Sequence, residues 1–338
     1  MTEHRAPVRL LPRASVGEVL SGRARVVGSR LDPVARRGLV SPVEARVNLG
    51  IPYADLADEE RRYLAMRSVG RDLGIVVRAL VTAPLAVGEA ASAGVRPRIV
   101  SANVDPITIE DAVEEILATP AGERARIVHF VHPHALNLAA FDRAHRARLA
   151  RADVVLPDGS GIRLAAKILG ASVPHNVNGT DLLPLLCAAL ARTGVPLALV
   201  GAEPGVAEAC AARLREDHPG LSIPLVSHGF LDDGGKAQIV GRLGALGRVV
   251  VLVGMGSPLQ ERFAWDHLAP LREATVVTVG GLFDFFSGRM PRAPMAWREL
   301  GLEWMYRMIQ EPRRLGKRYL LGNPLFVALA VAQRLGLR

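Results

Sequence analysis

The chain has 338 residues, 49% of them hydrophobic and 4% aromatic, which suits one large α/β domain with a smaller addition. Its formal net charge of +9 suits an anionic partner: nucleotide phosphates, a lipid pyrophosphate, an acidic membrane surface or nucleic acid. The sequence has two cysteines, no apolar signal-peptide segment and no run of about 18 apolar residues, so we expect a cytosolic chain without disulfides or membrane spans.

Residues 1–96 form a predicted N-terminal extension that is rich in arginine, glycine and proline. Its one convincing helical pattern covers about 59–82, where apolar residues recur at helical spacing with arginines between them. Such a helix lies on a membrane, packs on a partner or packs on the protein's own core. The sequence leaves these three possibilities open.

A regular alternation of strands and helices follows in residues 97–288. Strands are predicted at 126–132, 153–157, 196–202, 223–229, 249–256 and 274–281. Helices are predicted at 109–118, 138–151, 159–169, 181–193, 204–216, 234–246 and 258–269. Continuous β-branched strands separated by helices predict an α/β fold, with a mostly parallel Rossmann-like sheet and helices on both faces.

Residues 289–338 form a predicted helical, basic appendage to this core. Between 289 and 318 it carries eight basic residues against three acidic ones, with aromatic residues among them. This composition fits nucleic acid, a membrane interface or a phosphorylated ligand. We expect Arg307 and Arg314, seven apart, to share one helix face, and the apolar stretch "NPLFVALAVAQRL" to rest at a membrane interface. We also expect truncation after about residue 288 to leave a folded core.

Several strand-to-helix junctions carry glycine, in "VGAEPG", "SHGF", "VGMGSPLQE" and "VGGLFDFFSG". Glycine lets backbone N–H groups approach a phosphate closely, so glycine turns along one sheet edge predict a ligand of nucleotide size. Gly254 and Gly256 begin a dinucleotide fingerprint, but its third glycine and its acidic residue are missing. This disfavours a nicotinamide-dependent oxidoreductase. The chain also lacks a P-loop and a metal-binding Asp-x-Asp, so we predict neither a cofactor nor a metal site.

One carboxylate stands out in the stretch "VVLPDGSGIRLAAKILG", where Asp158 follows an apolar run and precedes Gly159. An aspartate in a tight turn is most often a turn or helix-cap residue. At the carboxyl end of a strand in an open α/β sheet, the same side chain would face a bound ligand. A single carboxylate there suits a general base, which takes a proton from an attacking hydroxyl group.

The motifs occur in the order found in the WecG/TagA/CpsF glycosyltransferases (glycosyltransferase family 26), which the chain resembles from about 98 to 325. The resemblance rests on "LPDGSGI", "NGTDLLPLL", "LVGMGSPLQE", "VGGLFDFFSGRMPRAP" and "GLEWMYRMIQEPRRLGKRYL". It implies transfer of an N-acetylmannosamine-type or related sugar from a UDP-sugar to a polyprenyl-pyrophosphate-linked sugar in envelope polysaccharide or teichoic-acid-like glycan synthesis. It also implies inversion, no metal and the cytoplasmic membrane face, with a peripheral enzyme and no nucleic acid as partner.

The resemblance places Asp158 at the family's proposed catalytic base and Gln260 at its active-site glutamine. Arg307 and Arg314 fall in the appendage that meets the lipid pyrophosphate, and the next basic position falls on Lys317 or Arg318. The complete set of predicted substrate-binding residues is His132, Asn137, Gly159, Asn178, Gly201, Gly229, Gly254, Gly256, Gly280, Gly281, Asp284, Arg292, Arg307, Arg314 and Arg318.

The chain departs from the family pattern at three positions that shape the pocket. Phe130 and His132 stand where many members carry Thr-x-Asn, and Asn176 stands where many carry arginine. Sugar specificity is therefore not predicted. A non-catalytic membrane scaffold of the same pathway is the main alternative to an enzyme, and the sequence leaves open whether the chain forms a homo-oligomer.

A weaker resemblance covers residues 23–82, which are similar to the closing part of bacterial polyprenyl-phosphate sugar-phosphate transferases. That family's membrane hairpin and catalytic Asp-Glu stretch are absent from the sequence. We therefore expect a remnant without activity of its own, with a docking or membrane-associating role.

Overall fold

A computed structural model describes residues 11–32, 35–48, 56–83, 96–120, 122–173 and 175–337. The chain divides into two compact units. The first unit consists of Met1–Gly88 and Ala293–Arg307, and the second of Glu89–Arg292 and Met308–Arg338. The predicted appendage of residues 289–338 therefore contributes to both units, and the three-segment division expected from the sequence stays a prediction.

The N-terminal part of the first unit is a small α/β assembly. Its elements are α1 (Val16–Leu20), β1 (Arg25–Val27), β2 (Gly38–Val40), α2 (Glu44–Asn48), α3 (Leu56–Ala65) and α4 (Val69–Thr82). The two strands pair in parallel. The single helix expected over 59–82 is two helices, because Ser68 caps the start of α4 by accepting a hydrogen bond from the Arg71 backbone N–H.

Buried charges hold the two segments of the first unit together. Glu299, which is 4% exposed, bonds to the Arg46 guanidinium and lies 3.3 Å from Arg78 Nε. Within the N-terminal segment of this unit, the buried Glu60 carboxylate accepts hydrogen bonds from the hydroxyl groups of Ser29 and Ser41, each at 2.6 Å. These carboxylates tolerate burial because donors satisfy their oxygens.

The second unit contains a six-stranded sheet in which every pairing is parallel. After a short antiparallel hairpin, β3 (Arg98–Ile99) and β4 (Ala102–Asn103), the strands are β5 (Arg126–Val131), β6 (Val154–Pro157), β7 (Leu197–Gly201), β8 (Leu225–Ser227), β9 (Val249–Gly254) and β10 (Ala274–Thr278). Their order in the sheet is β6-β5-β10-β9-β7-β8. The predicted Rossmann-like parallel sheet is confirmed.

Helices cover both faces of this sheet. They are α5 (Ile109–Leu117), α6 (Pro133–Phe141), α7 (Arg143–Ala150), α8 (Ser160–Leu169), α9 (Gly179–Thr193), α10 (Val206–Asp217), α11 (Asp233–Gly244), α12 (Leu259–Phe263), a π-helix (Ala264–Leu268) and α13 (Leu282–Phe286). Successive residues of one strand point to opposite faces, so that Ile127 and Val128 belong to different apolar clusters. This explains why the strands are apolar over most of their length.

The C-terminal region forms four helices, α14 (Met295–Glu299), α15 (Glu303–Gln310), α16 (Pro312–Leu320) and α17 (Gly322–Arg334). The expectation that Arg307 and Arg314 share one helix face is wrong, because the helix stops between Gln310 and Pro312. Proline has no backbone N–H and begins helices readily, so Pro312 starts a new one. Arg307 lies on α15 and Arg314 on α16.

The last helix, α17, is part of the core of the second unit. Phe326 is 2% exposed and Ala330 is fully buried, in a cluster with residues of α6 and α8. The Gln333 side chain also accepts a hydrogen bond of 2.7 Å from the Val100 backbone N–H. The face of α17 that carries Phe326 and Ala330 is therefore packed in the core and does not rest at the membrane interface that the sequence had suggested for this stretch. Truncation after residue 288 would open the core, contrary to the expectation of a folded remainder.

Candidate active site

The sheet has a topological switch point at the carboxyl ends of β7 and β9. These two strands are neighbours, and the chain leaves β7 toward β8 on one side and β9 toward β10 on the other. Connections that diverge in this way leave a crevice beyond the strand ends, where open α/β sheets bind their ligands. The predicted glycine turns lie at this edge.

The predicted glycines divide into two groups by what surrounds them. Gly201 has φ +151°, and a Cβ added there would lie 2.4 Å from the carbonyl oxygen of Gly254. A Cβ on Gly229 would lie 3.2 Å from the Gly201 Cα. These three glycines let neighbouring backbones pack closely, which leaves no room for a side chain.

Other predicted glycines have positive φ and open surroundings. The φ values are +93° at Gly159, +75° at Gly256 and +59° at Gly280, and an added Cβ would meet no described atom within 4 Å at any of them. Glycine is needed here for the left-handed backbone rather than for packing. These turns leave space for a ligand next to the main chain.

Gln260 joins two of these turns. Its side chain is 2% exposed, and its Oε1 accepts hydrogen bonds from the backbone N–H groups of Gly256 (3.2 Å) and Gly280 (2.8 Å). Gly256 follows β9 and Gly280 follows β10, so one amide oxygen ties the exits of two neighbouring strands. Its Nε2 donates to Glu261 Oε1 at 3.0 Å.

Asp158 follows β6 directly and is only partly buried. Its backbone N–H donates to the Val131 carbonyl oxygen at 2.8 Å, which fixes the turn against the end of β5. The next N–H, of Gly159, donates to Asn176 Oδ1 at 2.7 Å. Asn176, one of the departures from the family pattern, therefore shapes the turn that carries the predicted base.

His132 brings the C-terminal region to this turn. It caps α6 by accepting a hydrogen bond at Nδ1 from the Ala135 backbone N–H (3.1 Å), and its Nε2 lies 3.0 Å from Arg318 Nη2. Because His132 follows Val131, the Arg318 guanidinium lies at the same strand ends as Asp158. Of the two basic positions left open by the sequence, Lys317 is exposed and Arg318 is partly buried at this contact.

The guanidinium also acts on His134, whose ring stacks on that of His132 with 6.1 Å between centroids. Burial first, and then the positive charge of Arg318, lower the pKa of His134 to about 4. His134 is therefore neutral at pH 7 and adds no positive charge beside Arg318.

A second basic group lies beyond β10. Asp284, on α13, lies 3.9 Å from both Arg289 Nη1 and Arg314 Nη1, and Arg289 also bonds to Glu203 at 2.7 Å. Arg314 and Arg318 are four residues apart on α16, so they lie on one face of that helix. Through Arg314 this face contacts Asp284, which follows β10, and through Arg318 it contacts His132, which follows β5. The strands β5 and β10 are neighbours in the sheet.

Three of the other predicted residues, Asn178, Arg292 and Asn137, make structural contacts. Asn178 caps α9, because its Oδ1 accepts a hydrogen bond from the Asp181 backbone N–H at 2.9 Å. Arg292 lies 2.6 Å from the Asp181 carboxylate. The buried Asn137 donates through Nδ2 to the Gly322 carbonyl oxygen at 2.7 Å, which anchors the start of α17. Gly281 immediately precedes α13, and Arg307 belongs to the first unit.

The sequence-based set missed Glu261 and Ser257. Glu261 is fully buried and accepts a hydrogen bond of 2.7 Å from Ser257 Oγ in addition to the one from Gln260. Both residues were visible in the stretch "VGMGSPLQE". An acidic residue in the first turn of a helix usually has a capping role, so nothing in the local pattern marked this one as buried.

The sequence model of the glycosyl transferase WecG/TagA/CpsF family matches residues 97–338. The chain belongs to this family. It is therefore a glycosyltransferase of cell-envelope polysaccharide synthesis, which acts on a sugar donor and an acceptor. The match covers the entire sheet and α14–α17, and it leaves residues 1–96 outside. The similarity of residues 23–82 to sugar-phosphate transferases stays an expectation from the sequence.

Two further observations concern the described residues only. No group of three or more His, Cys, Asp or Glu side chains among them is arranged to hold a metal ion. None of the helices in the described ranges is both long and apolar enough to span a bilayer.

Proposed function

We propose that this glycosyltransferase moves an N-acetylmannosamine-type or related sugar from a UDP-sugar to a polyprenyl-pyrophosphate-linked sugar, with inversion and without a metal. The observation that carries the proposal is that Asp158 and the basic face of α16 both lie at the carboxyl ends of β5 and β6. Asp158 lies at the ends of β6 and β5, where Arg318 also arrives, and Arg314 lies along the same helix face. A carboxylate and two guanidinium groups thus line one edge of the sheet.

Asp158 acts as the general base in this reaction. Its carboxylate takes the proton of the acceptor hydroxyl group while the hydroxyl oxygen attacks the anomeric carbon from the face opposite UDP. The bond between the anomeric carbon and the phosphate oxygen breaks, and its electron pair leaves with UDP. One carboxylate is sufficient because UDP leaves as a stabilised anion and needs no proton.

Arg314 and Arg318 are proposed to balance the phosphate charges. Guanidinium groups make short, often paired hydrogen bonds to phosphate oxygens and remain charged at every physiological pH. Backbone N–H groups at the glycine turns add further donors where the leaving-group charge develops. The exposed Arg314 is proposed to bind the lipid pyrophosphate, and Arg318, which contacts His132 at the end of β5, is proposed to lie nearer the reacting centre.

The acceptor's lipid anchor places the reaction at a membrane surface, and we propose the cytoplasmic face with a peripherally bound enzyme. The donor sugar is expected to differ in its contacts from that of other family members, because His132 and Asn176 shape the turn beside Asp158. Both replace residues that are common in the family, so they are the first positions to vary when the donor preference is mapped.

The test is product analysis with the full chain, a panel of UDP-sugars and a polyprenyl-pyrophosphate-linked sugar acceptor. We expect mass spectrometry to find the acceptor with one added sugar for a UDP-sugar of the panel, with one UDP released for each sugar transferred. We also expect no loss of turnover in excess EDTA. No product with any UDP-sugar would contradict the proposed reaction. Activity that EDTA abolishes and magnesium or manganese restores would contradict metal independence alone.

A further inference from the structure

We propose that Glu261 is a positioning residue that holds Gln260 as a clamp between the Gly256 and Gly280 turns, and that Gln260 acts through these turns instead of contacting the substrate. This inference rests on the proposed function, because the clamped turns border the crevice assigned to the UDP-sugar. It assigns a task to Glu261 and replaces the active-site contact expected for Gln260.

The side-chain oxygen of Gln260 is already occupied, and one of the two N–H donors of its amide nitrogen is in use. Its oxygen accepts from two backbone N–H groups, at 2.8 and 3.2 Å, and its nitrogen donates to Glu261 at 3.0 Å. An amide oxygen has two lone pairs, so both are used. With 2% of the residue exposed, a substrate group would have to displace one of the glycine N–H groups to reach the oxygen.

Glu261 determines which way the amide faces. If the amide were flipped, its NH₂ group would face the N–H groups of Gly256 and Gly280, and its oxygen would face the Glu261 carboxylate. Donors would then meet donors and acceptors would meet an acceptor. The carboxylate at position 261 therefore keeps the Gln260 oxygen toward the two turns.

The burial of Glu261 supports a role other than stability. The residue is fully buried, and its Oε1 accepts from both Gln260 Nε2 and Ser257 Oγ. Its Oε2 has no hydrogen-bond partner among the described residues. A buried carboxylate with one idle oxygen costs free energy that an apolar residue would avoid. The cost is consistent with a requirement for an acceptor at this position.

The clamp matters because it fixes the backbone at the exits of β9 and β10. Gly256 and Gly280 both have left-handed backbones with open space where a Cβ would lie. Within the described ranges, the Gln260 oxygen is the hydrogen-bond acceptor of both N–H groups. Turns that are held before the donor arrives lose less freedom when it binds. Release of the clamp should therefore weaken donor binding more than it slows the chemical step.

The test exchanges the two side chains in the full chain. Gln260→Glu alone puts two carboxylates 3.0 Å apart, and we expect the UDP dissociation constant and the donor KM to rise by roughly tenfold, with kcat changed by less than about threefold.

The double variant Gln260→Glu with Glu261→Gln restores the hydrogen bond with its direction reversed. The carboxylate at position 260 still accepts from both turns, and the amide at position 261 donates to it and to Ser257 Oγ. UDP affinity, measured by calorimetry, should return to within about threefold of the original protein. Glu208→Gln, which changes an exposed carboxylate on α10, is the matched control and should bind UDP normally.

Restored affinity in the double variant supports the clamp, because a substrate contact through the Gln260 NH₂ group would stay lost. The inference is overturned if the double variant binds UDP as poorly as Gln260→Glu, if it does not fold, or if Gln260→Glu alone binds UDP normally. Failure of the proposed function looks different, since the unaltered protein would then form no product and bind no UDP.

Discussion

At the scale of single residues, two adjacent basic side chains on α16, Lys317 and Arg318, differ in where they point. Arg318 approaches His132 at 3.0 Å, next to the turn that carries Asp158, whereas Lys317 is exposed. Both carry one positive charge, so they contribute equally to the overall field of the protein. Of these two residues, Arg318 is the one that we propose contacts a phosphate at the strand ends.

This difference predicts unequal effects of two otherwise similar substitutions. Arg318→Ala should lower kcat/KM for sugar transfer by about 10- to 100-fold, because it removes charge-assisted hydrogen bonds to phosphate. Lys317→Ala removes the same charge from solvent and should change kcat/KM by less than about threefold. Steady-state kinetics of both variants is the measurement. Equal losses would mean that the α16 charge acts only through the general field of the protein.

Some of this residue-level detail follows from the sequence, and some does not. The strand end at Asp158 and the glycine turns are local patterns, so they can be predicted. The contact of Arg318 with His132 joins residues 186 positions apart, and the Gln260 oxygen reaches Gly280, 20 positions further on. Such contacts depend on how the strands are ordered in the sheet, which local periodicity does not determine.

At the scale of elements, α17 shows why an apolar segment alone does not indicate a membrane contact. The stretch "NPLFVALAVAQRL" is apolar over most of its circumference, so its sequence does not reveal which face is covered. In the structure Phe326 faces the cluster formed with α6 and α8, and Leu325 remains 40% exposed. The break before α16 was locally visible, because a proline at the first helical position starts a helix.

Two neighbouring substitutions test the packing of α17. Phe326→Ala should lower the free energy of unfolding by about 3–5 kcal/mol, since it leaves a cavity in the core of the second unit. Leu325→Ala, on the exposed side of the helix, should change the free energy by less than about 1 kcal/mol. Urea denaturation followed by circular dichroism provides both values. A small effect of Phe326→Ala would show that α17 is dispensable, as the sequence had suggested.

At the scale of the whole molecule, three histidines make stability depend on pH. They are the buried His129 and the partly buried His134 and His175, and burial is the main cause that lowers the pKa of each. Burial, and to a lesser extent the neighbouring His145, lower the pKa of His129 to about 3. Burial and Arg318 lower that of His134 to about 4, against an ordinary value of 6.5. His129 accepts a hydrogen bond at Nε2 from Trp265 Nε1 at 3.2 Å, which requires the neutral ring.

The folded chain therefore resists protonation in a range where the unfolded chain takes up protons. Below pH 6.5, His129 and His134 should each lower the free energy of unfolding by about 1.4 kcal/mol per pH unit, down to the folded pKa of each. Most carboxylates titrate at lower pH, so the decline between pH 6.5 and 5 reports mainly on histidines. Denaturant titrations at pH 5, 6, 7 and 8 measure it, and His134→Gln should make the decline less steep. Stability that is constant from pH 7 to 5 would contradict this account.

The parallel sheet could be predicted from the sequence, whereas the division of the chain into two units could not. The alternation of apolar strands and helices was sufficient to predict the parallel sheet, because each strand has to be covered on both faces. The arrangement of the chain in two units was not predictable, because Glu299 pairs with Arg46 and Arg78 across most of the sequence. Partners so distant in the chain leave no local pattern.

The most direct measurement of the central claim is single-turnover sugar transfer by Asp158→Asn beside the unaltered chain, with UDP affinity measured in parallel. The asparagine keeps the size of the side chain and can still accept hydrogen bonds, but it cannot take the acceptor's proton. We predict transfer that is roughly 10²- to 10⁴-fold slower, with the UDP dissociation constant nearly unchanged. Transfer at the normal rate by a folded Asp158→Asn protein would contradict the assignment of Asp158 as the base, and with it the proposed mechanism.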